Sequence, residues 1–233
     1  MPHVLFWGNL TRRGELAEAL SYLDEEGGPP GFLECGLVSA TSLDVPIPDS
    51  VLEEHLVLRA ADSTPSPRTG CGGVYAIDRG RRDDYRRSLA IHRREMERLT
   101  ADGDTLEARF QRGFVRSLEG YARWKDGDPA GALPILEEAA KSFPWDALVV
   151  WMGKIHLELG QPAEAARHFR ALKLNPLADY HLGIAYEAAG DLERARDAYT
   201  SLVEFWRGAD PELQPIVERA RQGVVRVGGI RRE

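Results

Sequence analysis

Apolar positions in the C-terminal half of the chain recur with a helical period, and glycine and proline cut that period into pairs. Between Trp145 and Pro176, the residues Leu148, Val149, Met152, Ile155, His156 and Leu159 fall on one stripe of a helix. Gly160 follows, a residue that tolerates the left-handed backbone found at helix ends. Pro162 then stands in a first helical turn, where a missing N–H leaves nothing unsatisfied. Ala165, Phe169 and Leu172 make the stripe of a second helix, which Asn175 and Pro176 end. The pattern predicts two antiparallel helices. Gly153 and Ala165 are small because the two axes approach there, and Phe169 fills the space they leave.

The same spacing returns elsewhere. Gly183, Tyr186, Gly190, Ala195 and Tyr199 repeat the offsets of Gly153, His156, Gly160, Ala165 and Phe169. Gly120, Gly127, Ala132 and Leu136 repeat most of them, and a fainter copy near the start has Gly14, Ala19 and Leu23. Gly120 to Gly153 is a period of 33 residues, and Gly153 to Gly183 one of 30. Internal repeats of this length imply stacked helical hairpins.

With these residues in view, the chain resembles the tetratricopeptide repeat family, whose signature places Leu-Gly, an aromatic, Ala and a second aromatic at fixed steps. Leu182, Gly183, Tyr186, Ala195 and Tyr199 carry the resemblance best. The middle unit has Met152 for Leu and His156 for Tyr, and the first keeps Gly120, Ala132, Ala139 and Pro144. The resemblance implies an all-α, right-handed superhelical array of antiparallel hairpins with three repeats over 105–210. It also implies a protein-interaction role.

The flanks are expected to diverge from that pattern. Residues 1–61 read as two divergent helical hairpins, split at Val45-Pro46-Ile47-Pro48, with Asp49 or Ser50 capping the last helix. Residues 62–73 are rich in Ser, Thr, Pro and Gly and read as a loop or linker. Residues 74–104 read as a degenerate hairpin in which Tyr85 replaces the small Ala, so that its packing must differ. Residues 211–233 read as a capping helix and a frayed tail. In it Asp210 is the N-cap, Leu213, Val217, Ala220, Val224 and Val227 form the apolar stripe, and Arg219, Arg221 and Arg226 lie off it. This ending resembles C-terminal repeat regions of bacterial multi-domain signalling proteins, including serine/threonine kinases.

Composition narrows the chemistry. The 233 residues carry a net charge of −7, which speaks against nucleic acid as a partner. No apolar run is long enough for a spanning helix, so no membrane contact is expected of this chain. Cys35 and Cys71 form no CxxC pair, a usage that fits a reducing cytoplasm and argues against a disulfide scaffold or a structural zinc site. Phosphate-loop, kinase and GxSxG motifs are missing from the sequence. Glu53-Glu54-His55, Asp83-Asp84 and Glu137-Glu138 fall on charged helix faces, where neighbours point about 100° apart. His156, His168 and His181 match no metal spacing, and Trp7, Trp124, Trp145, Trp151 and Trp206 read as core or rim. No catalytic residue, metal or cofactor is expected.

Two surfaces remain as candidates. If the glycines face the second helix of each pair, then Ser117, Tyr121 and Trp124 line a concave groove. Val150, Lys154 and Leu157 continue it, followed by Tyr180, Ile184 and Glu187. This lining fits a largely apolar peptide or partner helix carrying an acidic group. The alternative filling is a neighbouring helix of the same chain. The second surface is a basic strip. From Arg79 to Lys125 there are 13 Lys or Arg against 8 Asp or Glu, and Arg109, Arg112, Arg116 and Arg123 lie near one helix face. They either pair with Glu107 and Glu119 or dock an acidic peptide or phosphate group. The expected function is a non-catalytic protein-interaction scaffold; the alternative is a regulatory or sensor segment of a larger bacterial signalling enzyme.

Overall fold

The computed structural model describes residues 14–21, 32–172 and 175–229, and among them every regular element is a helix. In chain order these are α1 (Leu16–Ser21), α2 (Phe32–Ser42), α3 (Asp49–Leu56), α4 (Pro67–Asp78), α5 (Arg82–Ala101) and α6 (Thr105–Lys125). Next come α7 (Pro129–Ala140), α8 (Asp146–Glu158), α9 (Pro162–Ala171), α10 (Pro176–Ala188) and α11 (Leu192–Phe205). A 3-10 turn (Pro211–Leu213) then leads into α12 (Gln214–Gly229). Trp7, Leu23 and the tail from Ile230 lie outside the described residues. The array of paired helices expected from the repeats is the observed architecture.

One turn, used five times, joins successive helices. Gly80, Gly103, Gly127, Gly160 and Gly190 have φ between 67° and 91°, the left-handed region that a Cβ disfavours. After each of them an N–H reaches back five residues: Arg81 to Ala76, Asp104 to Leu99, Asp128 to Arg123, Gln161 to His156 and Asp191 to Tyr186, at 2.8–3.1 Å. These bonds satisfy carbonyls that a helix end would otherwise leave open. Asp128 and Asp191 then start the next helix by accepting from the N–H groups of Gly131 and Arg194.

The chain divides into two compact units. The first comprises Pro30–Ser42 and Ile47–Ile155. Within it α4 packs on α5 and α6 on α7, and α2 and α3 both lie against α4. The expected linker over 62–73 is corrected here: it is a loop only as far as Ser66. Ser66 and Thr69 form a reciprocal capping box, each side chain accepting from the other's N–H, and α4 starts inside the supposed loop. The glycines that looked like linker are points of close approach. A Cβ on Gly70 would enter the Phe114 ring, and one on Gly73 would lie 3.0 Å from the Cβ of Ser88. Ser88, fully buried, therefore takes the small-residue place in this pair, and its hydroxyl donates to the Thr69 carbonyl at 2.7 Å. Tyr85 is half-buried one turn away. The cap of α3 also differs from expectation, with Pro48 at the N-cap position and Asp49 in the first turn, paired with Arg79.

Cys35 and Cys71 are joined by a disulfide that ties α2 to α4, with 5.5 Å between their Cα atoms. This overturns the reading of the two cysteines as evidence against a disulfide, and the argument for a reducing compartment falls with it. Spacing could not reveal the pair, because 36 residues and two further helix ends separate the partners in sequence.

The second unit comprises Met1–Pro29, Leu43–Pro46 and His156–Glu233. Tyr199, fully buried, is held between two glycines: a Cβ on Gly183 of α10 would lie 2.8 Å from its ring carbon Cζ, and one on Gly223 of α12 would lie 2.7 Å from its Cδ2. This is the close approach that the repeat spacing predicted. Ala195 is fully buried beside it on α11, while Glu193 is exposed. Ala195→Leu should therefore destabilise by ~1–3 kcal/mol through overpacking. Glu193→Leu should change stability by less than ~0.5 kcal/mol. Urea denaturation of both variants checks the register, and equally mild effects would show it to be wrong.

The cap buries Leu213, Ile216, Val217, Ala220 and Val227, with Val224 half-buried, while Arg219, Arg221 and Arg226 face outward. Asp210 makes no side-chain bond to its own turn. Instead its carboxylate accepts from the Ala17 N–H at 3.0 Å, and its own N–H donates to the Gly14 carbonyl at 2.9 Å. Gly14, at φ 68°, and the fully buried Ala19 thus reproduce the turn and inner alanine of a repeat. Gly14 also sits beside Ala209 and Trp206.

Candidate functional site

In the first unit, the row expected to line a groove is partly core. Ser117 and Val150 are fully buried, and the Ser117 hydroxyl donates to the Phe114 carbonyl at 2.6 Å. Tyr121 is only 4 % exposed, and its hydroxyl donates to the Asp78 carboxylate at 2.8 Å. Burial, with the adjacent Asp78 charge, pushes the Tyr121 phenol well above its usual range, so it stays a neutral donor. These three positions are corrected from ligand-facing to packed. Tyr121 is covered from within the unit: α4 brings Asp78, and the Trp151 ring stands 4.2 Å from its own, with Trp151 Nε1 donating to the Ser42 hydroxyl of α2 at 2.8 Å. Trp124 and Lys154 remain half-exposed. The Trp124 ring stands edge-on to Tyr121 at 5.7 Å, with the Lys125 ammonium 5.4 Å from its centre.

In the second unit, Leu157, Tyr180, Ile184 and Glu187 are all half-buried. Two of them meet the cap. The Arg219 guanidinium lies 5.6 Å from the Tyr180 ring centre, and Arg226 Nη2 donates to Glu187 at 2.8 Å. Tyr180 and Glu187 are seven residues apart, as are the two arginines, so two turns of α12 read two turns of α10. Arg226, followed by the Tyr199 hydroxyl at 2.8 Å, holds the Glu187 carboxyl below the usual range. The histidines are packed, as the repeat register implied for His156. His156 and His168 stack at 5.1 Å, and burial together with the neighbouring His156 pushes His168 down to about 4, leaving a neutral ring at pH 7. Among the described residues no group of three side chains is placed to hold a metal ion.

The basic strip divides in two. Arg116 pairs with Glu119 at 2.8 Å and with Glu138 at 2.9 Å, and Arg123 pairs with Asp128 at 2.7 Å. Arg109 and Arg112 are exposed and form no ion pair with any described residue. The expected partner Glu119 is taken by Arg116 and Arg93.

A family model of the tetratricopeptide repeat matches residues 123–175, and a second tetratricopeptide model matches residues 152–211. Over residues 123–211 the chain is built of tetratricopeptide repeats. Neither a curated protein nor a solved structure matches it. Tetratricopeptide repeats generally mediate contacts between proteins. Gly120, Gly183, Ala132, Ala165, Ala195, Phe169 and Tyr199 are all consumed in packing. Specificity in a tetratricopeptide array therefore rests on side chains between the signature positions. Of the nine placed in the groove, six keep some exposure. Sequence reasoning missed Leu106 and Phe110, which are 77 % and 42 % exposed on the same helix as Arg109 and Arg112. Their spacing of four was visible; that they lie ahead of the first repeat's frame, where no partner helix covers them, was not.

Proposed function

We propose that this chain is a non-catalytic scaffold that binds a peptide or helix of a partner protein through side chains on the first helices of its repeats. The observation that carries the reading is a division of labour along each helix. The signature positions Gly120, Gly183, Ala132, Ala165, Ala195, Phe169 and Tyr199 are buried, while Trp124 and Lys154 in the first unit, and Leu157 and Ile184 in the second, keep part of their surface. An amphipathic indole beside an ammonium suits a peptide with an apolar anchor and an acidic neighbour.

The test is affinity capture with immobilised chain, then partner identification and direct titration of the partner found. Trp124→Ala with Lys154→Glu should weaken that partner at least ~10-fold, as loss of one anchor does. Its helicity and melting temperature should stay those of the parent. A partner bound equally by both forms would place recognition elsewhere.

A further inference from the structure

Helix α6 is longer than its role in the repeat requires. It begins fifteen residues before its inward glycine, Gly120, whereas α8 and α10 begin seven residues before Gly153 and Gly183. The additional eight residues, 105–112, are about two turns and ~12 Å of helix. Their inner side is accounted for. Ala108 is buried, and Gln111 is bonded through Oε1 to Nδ1 of the buried His92 on α5 at 3.1 Å.

The outer side has no such account. Leu106 and Phe110, one turn apart, are two of the four large apolar side chains exposed among the described residues. The other two, Phe205 and Val225, belong to the second unit. Phe110 is not a loose side chain: its ring stands edge-on to Phe143 at 4.9 Å, and Phe143 in turn meets Phe114 and Trp145 at 5.0 and 5.7 Å. An anchor backed this way loses little freedom when a partner covers it. Arg109 and Arg112 border the apolar pair on one flank, and Glu107 stands on the other. Neighbouring cations are neutralised by Arg93–Glu119, Arg98–Glu95, Arg116–Glu138 and Arg123–Asp128. No described residue forms an ion pair with Arg109 or Arg112.

We infer that the projecting two turns of α6 are a docking site for an acidic amphipathic helix of a partner protein. Its apolar stripe covers Leu106 and Phe110, and its Asp or Glu residues pair with Arg109 and Arg112. A second copy of this chain is the competing occupant. The site is separate from the side chains proposed above, and the two readings can fail independently.

The experiment titrates the full chain with a labelled synthetic helix of about five turns, with Leu at i, i+3, i+4 and i+7 spacing and Glu on the polar face. A twin peptide carries Lys in place of each Glu. The Glu peptide should bind at least ~10-fold tighter than the twin, and its advantage should shrink as salt is raised from about 0.05 to 0.3 M. Phe110→Ser and the pair Arg109→Glu with Arg112→Glu should each weaken it at least ~10-fold. Trp124→Ala with Lys154→Glu should leave it unchanged. The mutated side chains are exposed, so an unaltered melting temperature is expected and excludes misfolding as the cause. Absent binding, equal binding of both peptides, or indifference to the α6 substitutions overturns the proposal. So does a concentration-dependent dimer of the parent chain that Phe110→Ser abolishes, since the occupant would then be a second copy.

Discussion

Deletion of Pro211 to Glu233 should unfold or aggregate the second unit rather than merely shorten it. The cut removes Leu213, Ile216, Val217 and Val227, each at most 4 % exposed, and uncovers Tyr199 and Leu202, both fully buried in the intact chain. Burying a side chain of this size contributes ~1.5–3 kcal/mol. Four of them sum to roughly 6–12 kcal/mol, against a total stability of ~5–15 kcal/mol for a typical domain. The deletion also removes Arg226 from Glu187 and Arg219 from Tyr180. Asp210 is kept, so its bonds to Gly14 and Ala17 do not confuse the result. A circular-dichroism melt and size-exclusion chromatography decide the matter. An unchanged midpoint with monomeric elution would mean that α12 is an appendage and not a cap.

Opening the Cys35–Cys71 bond should cost the first unit about 3–4 kcal/mol, the stabilisation expected for a cross-link closing a loop of this length. For a chain of this size that corresponds to roughly 6–16 °C in melting temperature. Cys35→Ser with Cys71→Ser, or the parent chain in reductant, should show the loss. The partly buried Ser42–Trp151 contact makes indole fluorescence a reporter of α2, because α2 carries both Cys35 and Ser42. Alkylation should label no cysteine before reduction and two after it. If reductant leaves the midpoint unmoved, packing of α2 on α4 suffices without the bond.

The repeat region was legible because close packing of two helices restricts residue size at fixed steps. Gly183 and Ala195 can be little else, and only a large ring such as Tyr199 fills what they leave. Turn glycines were legible for a backbone reason. Gly70, Gly72 and Gly73 misled because clustered glycine marks either a loop or a helix under heavy contact, and only the partner, here Phe114, Leu56 and Ser88, decides which. The groove positions misled differently. Ser117, Tyr121 and Val150 lie between signature positions, which frees their chemistry but not their surface. Tyr121 meets Asp78 and Trp151, and Trp151 in turn bonds Ser42, 109 residues away, with no local signature to announce it. On the basic strip the arginines were legible and their partners were not. Pairing across helices, as in Arg116–Glu138, depends on a register that one helix cannot reveal.

The clasp between Gly14 and Asp210 has a consequence for synthesis. Every repeat pair in the array is closed by a short glycine turn and can form as soon as it leaves the ribosome. The seat of α1 cannot, because Asp210 lies 193 residues downstream of Ala17. At an elongation rate of ~5–20 residues per second, α1 emerges roughly 10–40 s before its docking site exists. Through that interval Leu16 and Ala19, both fully covered in the finished chain, have no native surface to meet. The segment made early is the one that docks last, and the time spent waiting is a window for aggregation or chaperone capture that the compact repeats do not share.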